Sequence, residues 1–148
     1  MLDAVRRRIA GKDAIIMAAA VSDFRAKAAA SAKIRKTGRA SLALELSRTR
    51  DILETVAKLP DRPFVVAFAA ETDDVERNAR EKLRRKRADL IVANDVSDPS
   101  IGFDSAENEV TIYATDGSAI HLERDSKLRI AGRILDEVAR RLGPGGES

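Results

Sequence analysis

The chain has 148 residues, 44% hydrophobic and 34% charged, which supplies one core and a solvated surface and excludes extended disorder. It has no cysteine and a single histidine, His121, which excludes disulfides, thiolate metal sites and multi-histidine metal centres. The net charge is +3, but residues 1–60 carry 13 basic and 6 acidic side chains against 14 and 18 in residues 61–148, and a basic first half suits a phosphate-bearing partner.

Leu2, Val5 and Ile9 recur at helical spacing, predicting a helix over residues 2–10 that Gly11 stops. Residues 14–21 form a continuous apolar run, read as a strand buried on both faces, with alanines at its C-terminal end where a ligand can approach the backbone. Residues 22–40 are polar, basic and aperiodic, and read as a long loop of the kind that forms binding flaps, with a helix as the alternative at the alanine-rich start, Ala26 and Ala28 to Ala30. Leu42, Leu44 and Leu46 alternate with small or polar residues, predicting a half-buried strand. Asp51 opens a helix carrying Ile52, Leu53, Val56 and Leu59 on one face, ended by Pro60.

Residues 63–70 predict a second buried strand that again ends in alanines. Asp73 and Glu76 have the spacing of a capping box, and the helix that follows turns Val75, Ala79 and Leu83 toward a sheet. Residues 77–87 hold seven basic side chains among eleven. A solvated helix face accounts for such a run, and no aromatic interleaves with it to stack on bases, so no nucleic-acid partner is expected. Residues 90–93 predict a third buried strand and residues 94–108 a loop. Asp116-Gly117 between two apolar runs predicts a hairpin, and Ile130, Ile134, Leu135, Val138 and Leu142 a closing helix, with a frayed tail over 143–148. No apolar run approaches the ~18 residues of a membrane span, no signal-peptide pattern opens the chain, and a cytoplasmic location is expected.

Buried strands alternating with helices give a Rossmann-like α/β fold, a mostly parallel sheet flanked by helices with a C-terminal hairpin and helix. In such sheets ligands bind outside the C-terminal strand ends, here residues 18–21, 68–71 and 94–95. Lys82 and Lys86, four apart, share a helix face, where two ammonium groups repel unless an anion lies between them; snorkelling is the plainer reading of the pair. Lys33 sits in the flap, where an ammonium can neutralise developing negative charge. Asp23 can reach a ribose hydroxyl or a hydrated Mg2+. Phe68 suits the core or the face of a base. No GxGxxG, Walker or GxSxG motif occurs.

Several segments in order resemble phosphopantothenate–cysteine ligase. They are Ala18-Ala19-Ala20-Val21-Ser22-Asp23-Phe24, Lys33-Ile34-Arg35-Lys36, Asp51-Ile52-Leu53, Phe68-Ala69-Ala70-Glu71-Thr72, the Lys82/Lys86 pair, Asp89 to Val96, and Gly102-Phe103-Asp104-Ser105 followed by Asn108-Glu109-Val110. The resemblance covers residues 2–142. It implies a part in coenzyme A biosynthesis: CTP, with Mg2+, activates the carboxylate of 4′-phosphopantothenate as an acyl-cytidylate, and the amine of L-cysteine displaces CMP. It also implies that Lys33 is the flap lysine supporting that step, and that Lys82 and Lys86 contact the triphosphate. Ala18, Ala19, Asp23, Arg50, Asp51, Ile52, Leu53 and Phe68 fall where the family holds the nucleotide.

The resemblance further implies a homodimer, and frequent fusion to a flavin-dependent decarboxylase whose flavin is not expected in this domain. Thr49-Arg50 stands where the family often has Asn-Pro, and Ala67 where it often has Gly. The family's domain opens with a glycine-rich strand–loop–helix unit that this sequence does not contain, so its N-terminal strands are expected to be absent and a sheet edge exposed. The residues alone leave open a non-catalytic nucleotide-binding module, or a subunit completed by another chain.

Overall fold

A computed structural model describes residues 1–34, 41–96 and 105–143. The helices are α1 (Leu2–Arg8), α2 (Ile52–Val56), α3 (Val75–Lys86) and α4 (Lys127–Leu142). The strands are β1 (Ala14–Met17), β2 (Phe24–Ala26), β3 (Leu46–Arg48), β4 (Phe64–Glu71), β5 (Leu90–Asp95), β6 (Glu107–Ala114) and β7 (Ala119–Ser126). They fall into two units, one made of residues 1–18 and 52–148 and the other of residues 19–51.

In the first unit the sheet order is β1-β4-β5-β6-β7. The β1–β4 and β4–β5 ladders are parallel, and the β5–β6 and β6–β7 ladders antiparallel, so β6 alone opposes the other four strands. This is the expected Rossmann-like arrangement with its C-terminal hairpin. The Asp116-Gly117 turn closes the hairpin, with Gly117 at φ +88°.

Period-two alternation splits the central strands between two cores. Val65, Ala67 and Ala69 of β4 and Ile91 and Ala93 of β5 face α2 and α3, joining Ile52, Leu53, Val56, Ala79 and Leu83; α1 adds Leu2 and Val5 at the margin. Val66 of β4, Leu90 and Val92 of β5, Ile112 of β6 and Leu122 of β7 face α4, joining Ile130, Ile134 and Val138. Val65, Val66, Leu90, Ile91 and Val92 are fully buried, each worth roughly 1.5–3 kcal/mol relative to exposure. The expectation that these two strands are buried on both faces holds.

At the N-terminal strand ends Asp89 ties β5 to β4. Its carboxylate accepts two hydrogen bonds of 2.7 Å from the Arg62 guanidinium and one of 2.8 Å from the Val65 N–H. The Asp89 N–H donates in turn to the Val65 carbonyl.

Three local expectations are corrected. The strand expected over residues 14–21 ends at Met17 and, among the described residues, lies at the edge of the sheet beside β4, with Ile16 38% exposed. An apolar run reports burial tendency, not the number of partners. The strand expected at Leu42–Leu46 keeps only Leu46 and runs on instead to Arg48 as β3, which pairs antiparallel with β2, a strand within the residues expected to be a loop. Leu42 and Leu44 are 50% and 63% exposed, since among the described residues of its unit this two-stranded ribbon has no layer to bury them. The capping box at Asp73 does not form. Asp74 is the N-cap, in the left-handed region at φ 41°; the Asp73 carbonyl accepts from Asn78 Nδ2, and Glu76 pairs with Arg80 instead.

Helix α3 ends in a Schellman arrangement: the Arg87 N–H donates to the Arg84 carbonyl and the Ala88 N–H to the Leu83 carbonyl, with Arg87 left-handed at φ 51°. A β-carbon is unfavourable there, so Arg87→Gly should stabilise the protein by about 0.5–1 kcal/mol, read as a higher urea midpoint at unchanged slope.

Near the C-terminal end of α4, Glu137 is 8% exposed and accepts hydrogen bonds from Arg140 and Arg141, while Arg141 also donates to Asp116 in the hairpin turn. The Arg140 hydrogen bond, with Arg141 adding to it against the opposing effect of burial, holds the Glu137 carboxyl down at about 2. The unfolded chain therefore takes up this proton first as pH falls. Stability from Glu137 should be complete above about pH 4.5 and lost progressively toward pH 2. With water screening the exposed Arg140, the loss is about 1–2 kcal/mol. Urea midpoints measured across that window should fall, and Glu137→Gln should flatten the slope.

Candidate functional site

In a parallel sheet the strand carbonyl ends and the helix N-termini that follow them form one rim. The register sets the heights along it. β1 stops at Met17 beside Ala67, while β4 and β5 continue together to the Glu71–Asp95 pair. Ala18 follows β1 and is exposed; Phe68 is half-buried on the α4 side of the sheet.

Glu71 falls on the same face of β4 as Val65, Ala67 and Ala69, the face covered by α3. Its cross-strand partner Asp95 shares that face, so two carboxylates stand together at the rim. Helix α3 starts at this rim and runs down the sheet. Helical side chains lean toward their helix N-terminus, and Lys82, two turns in, accordingly reaches back up. Its Nζ lies 3.7 Å from Glu71 Oε1, with side-chain exposures of 29% for the lysine and 18% for the glutamate. Lys86 is half-buried one turn further down. The expected shared helix face is present, and an acidic neighbour for Lys82 is supplied by the protein itself.

Below the rim, Arg80 stacks on the Tyr113 ring at 5.0 Å from its centroid. Burial, with the nearby Glu76 charge, pushes the Tyr113 phenol up. Ile52 and Leu53, expected at the nucleotide, are 5% and 7% exposed and spend their side chains in the core, so any ligand contact they make goes through their backbone.

The remaining candidates belong to the second unit. Ala19, Asp23, Lys33 and Arg50 are exposed and Asp51 half-buried. Asp23 precedes β2, and its carbonyl accepts the Thr49 N–H at 2.8 Å. The Ser22 carbonyl accepts the Thr49 hydroxyl at 2.6 Å. These two bonds close the β2–β3 ribbon at the end where Asp23 and Arg50 sit. Arg35, Lys36 and the Gly102-Phe103-Asp104 segment lie outside the described residues, as does the tail beyond Gly143. Among the described residues no three acidic or histidine side chains are grouped to hold a metal ion. Nor is any helix among them long and apolar enough to cross a membrane.

A family model described as "DFP: DNA/pantothenate metabolism flavoprotein C-terminal domain" matches residues 1–142. The chain belongs to this family. It is similar to the coenzyme A biosynthesis bifunctional protein CoaBC of Vibrio parahaemolyticus, with 41% identity over 140 residues, covering 93% of this chain and 35% of that protein. It is 42% identical over 139 residues to the CoaBC protein of Bacillus subtilis, covering 94% of this chain and 34% of that one. The chain thus spans about a third of the length of these relatives.

A crystal structure of the C-terminal domain of CoaBC matches with a TM-score of 0.75 at 36% identity, covering 95% of this chain and 60% of that one. A DNA/pantothenate metabolism flavoprotein from Streptococcus pneumoniae, at TM-score 0.69 and 22% identity, shares the fold; the match covers 93% of this chain and 67% of that one.

One partner was missed in the sequence. Glu71 follows from alternation, because position 71 must share the face of 65, 67 and 69, and that face meets α3.

Proposed function

We propose that this chain serves coenzyme A biosynthesis as part of an enzyme joining 4′-phosphopantothenate to L-cysteine, with CTP as the activating nucleotide. The observation that carries the reading is Lys82, a rim-directed ammonium, in a chain about 40% identical to CoaBC proteins along nearly its whole length. In this reading the phosphopantothenate carboxylate attacks the α-phosphorus of CTP and expels pyrophosphate. The cysteine amine then attacks the acyl carbon, and CMP leaves.

The first step gathers negative charge on the phosphoryl oxygens, which fixed cations stabilise more in the transition state than in the ground state. Lys82 and Lys86 take the triphosphate, and Lys33 closes on the reacting phosphate. Phe68 offers its face to the base. Ala18 and Ala19 let the nucleotide approach the backbone, and Arg50 to Leu53 contribute through Arg50, Asp51 and the backbone. Mg2+ would accompany the nucleotide as its counter-ion, and Asp23 is the carboxylate that would hold it through water, which suits an ion that is usually bound by one or two carboxylates plus substrate phosphates. A homodimer, and a flavin-dependent decarboxylase joined in the longer protein, complete the proposal.

Scanning calorimetry with Mg2+-CTP tests the nucleotide. At about 100 times its dissociation constant CTP adds roughly 2.7 kcal/mol, a midpoint rise of several degrees. No rise, or an equal rise with ATP, overturns the CTP assignment. Lys82→Ala should shrink the rise, since losing a charge-assisted phosphate contact costs about 1.5–3 kcal/mol. Lys33→Gln, placed in the longer enzyme, should suppress pyrophosphate release from CTP and phosphopantothenate while leaving CTP binding within about three-fold. Retained turnover would remove Lys33 from the chemical step.

A further inference from the structure

Lys82 carries a four-carbon stem with high rotamer freedom, and Lys86 follows it one turn along the same helix. Arg84 and Arg85 add like charge on the same helix, while Arg80 is already tied to Glu76 at 2.8 Å. Glu71 is different in kind, because its backbone is held in the β4–β5 ladder opposite Asp95, although β1 has ended four residues earlier at Ala67. The Glu71 carbonyl also accepts the Val96 N–H at 2.9 Å, just past the end of β5. Its carboxylate therefore stands at a defined place on the rim, beside Asp95. The Nζ–Oε1 separation of 3.7 Å exceeds hydrogen-bond length, so Glu71 attracts the ammonium by charge without locking its donors.

We infer that Glu71 is a positioning residue for Lys82, acting on bound nucleotide phosphate through that ammonium rather than by contact of its own. The inference rests on the phosphate role proposed above for Lys82. A fixed carboxylate keeps a flexible ammonium at the rim before ligand arrives. It leaves the three N–H donors free to turn to a phosphate oxygen.

The test is a double-mutant cycle on Mg2+-CTP affinity, with Lys82 labelling by an amine-acylating reagent measured in parallel without nucleotide. Glu71→Gln should weaken CTP about five-fold, and less than about two-fold when Lys82 is already alanine. Lys82 labelling should at least double in Glu71→Gln, and Glu71→Asp, which keeps the charge on a shorter tether, should fall between. Equal weakening in both backgrounds, tighter CTP binding in Glu71→Gln, or unchanged labelling overturns the inference. If Lys82→Ala leaves CTP affinity intact, the phosphate reading fails and Glu71 loses its role in nucleotide binding, whatever the labelling shows about the pair.

Discussion

The register between β4 and β5 is set by Asp89, and every other position in the first unit is measured from it. Its carboxylate engages both terminal nitrogens of Arg62 and the Val65 N–H, and its own N–H returns a bond to Val65. A bidentate, charge-assisted contact of this kind tolerates little slippage. A one-residue slip of β5 against β4 would move Leu90 and Val92 from the α4 core to the other face. Fixing the register at the N-terminal end also fixes which residues meet at the other end, five positions beyond Val66, where Glu71 stands opposite Asp95. The stabilising end and the rim are thus opposite ends of the same two strands.

Between those ends, side-chain size sets how closely α3 approaches. Ala67, Ala69 and Ala93 line the sheet where Ala79 of α3 is fully buried, so little separates helix from strand. A lysine on that helix can then reach the end of β4. Larger residues at any of these positions would drive the helix outward and overpack a dense core. The Lys82–Glu71 approach therefore depends on alanines that carry no chemistry of their own. The alanine-rich strand ends, read from the sequence as room for a ligand, also serve as the seat of α3.

What was legible in the sequence followed its periodicity. β4, β5, α3, α4 and the hairpin were all foreseen, because each has both faces or one continuous stripe committed to a core. β1 was foreseen too long, and Leu42 and Leu44 were expected to be half-buried but are exposed. Alternation identifies a face and not what lies across from it. The capping box failed because backbone shape won over side-chain spacing: Asp74 took the left-handed position, and Glu76 found Arg80. Of the site, the shared face of Lys82 and Lys86 was readable from an i, i+4 interval. Alternation puts Glu71 on the face that meets α3, but its contact with Lys82 joins residues eleven apart across a strand–helix turn, and needed the packing of α3 to appear. Ile52 and Leu53 show the converse, since a motif position carried over by resemblance says nothing of whether its side chain is spent in the core.

The two acid–base contacts along β4 differ in a way that fits their positions. Arg62 and Asp89 meet through paired bonds of 2.7 Å, with the Val65 N–H completing the carboxylate. Breaking that set would leave polar groups without partners, so it resists exchange. Lys82 and Glu71 meet at 3.7 Å, partly open to water, with no hydrogen bond between them. A contact of that sort is worth about 0–1 kcal/mol, whereas a charge-assisted hydrogen bond to a phosphate is worth about 1.5–3 kcal/mol. The donors of Lys82 can therefore turn to an arriving phosphate while its ammonium stays beside the Glu71 carboxylate, so the attraction that places the cation is kept when the ligand binds. A shorter, hydrogen-bonded pair at the rim would have spent donors that a phosphate needs, and no pair at all would have left the ammonium to the rotamer freedom of its four-carbon stem.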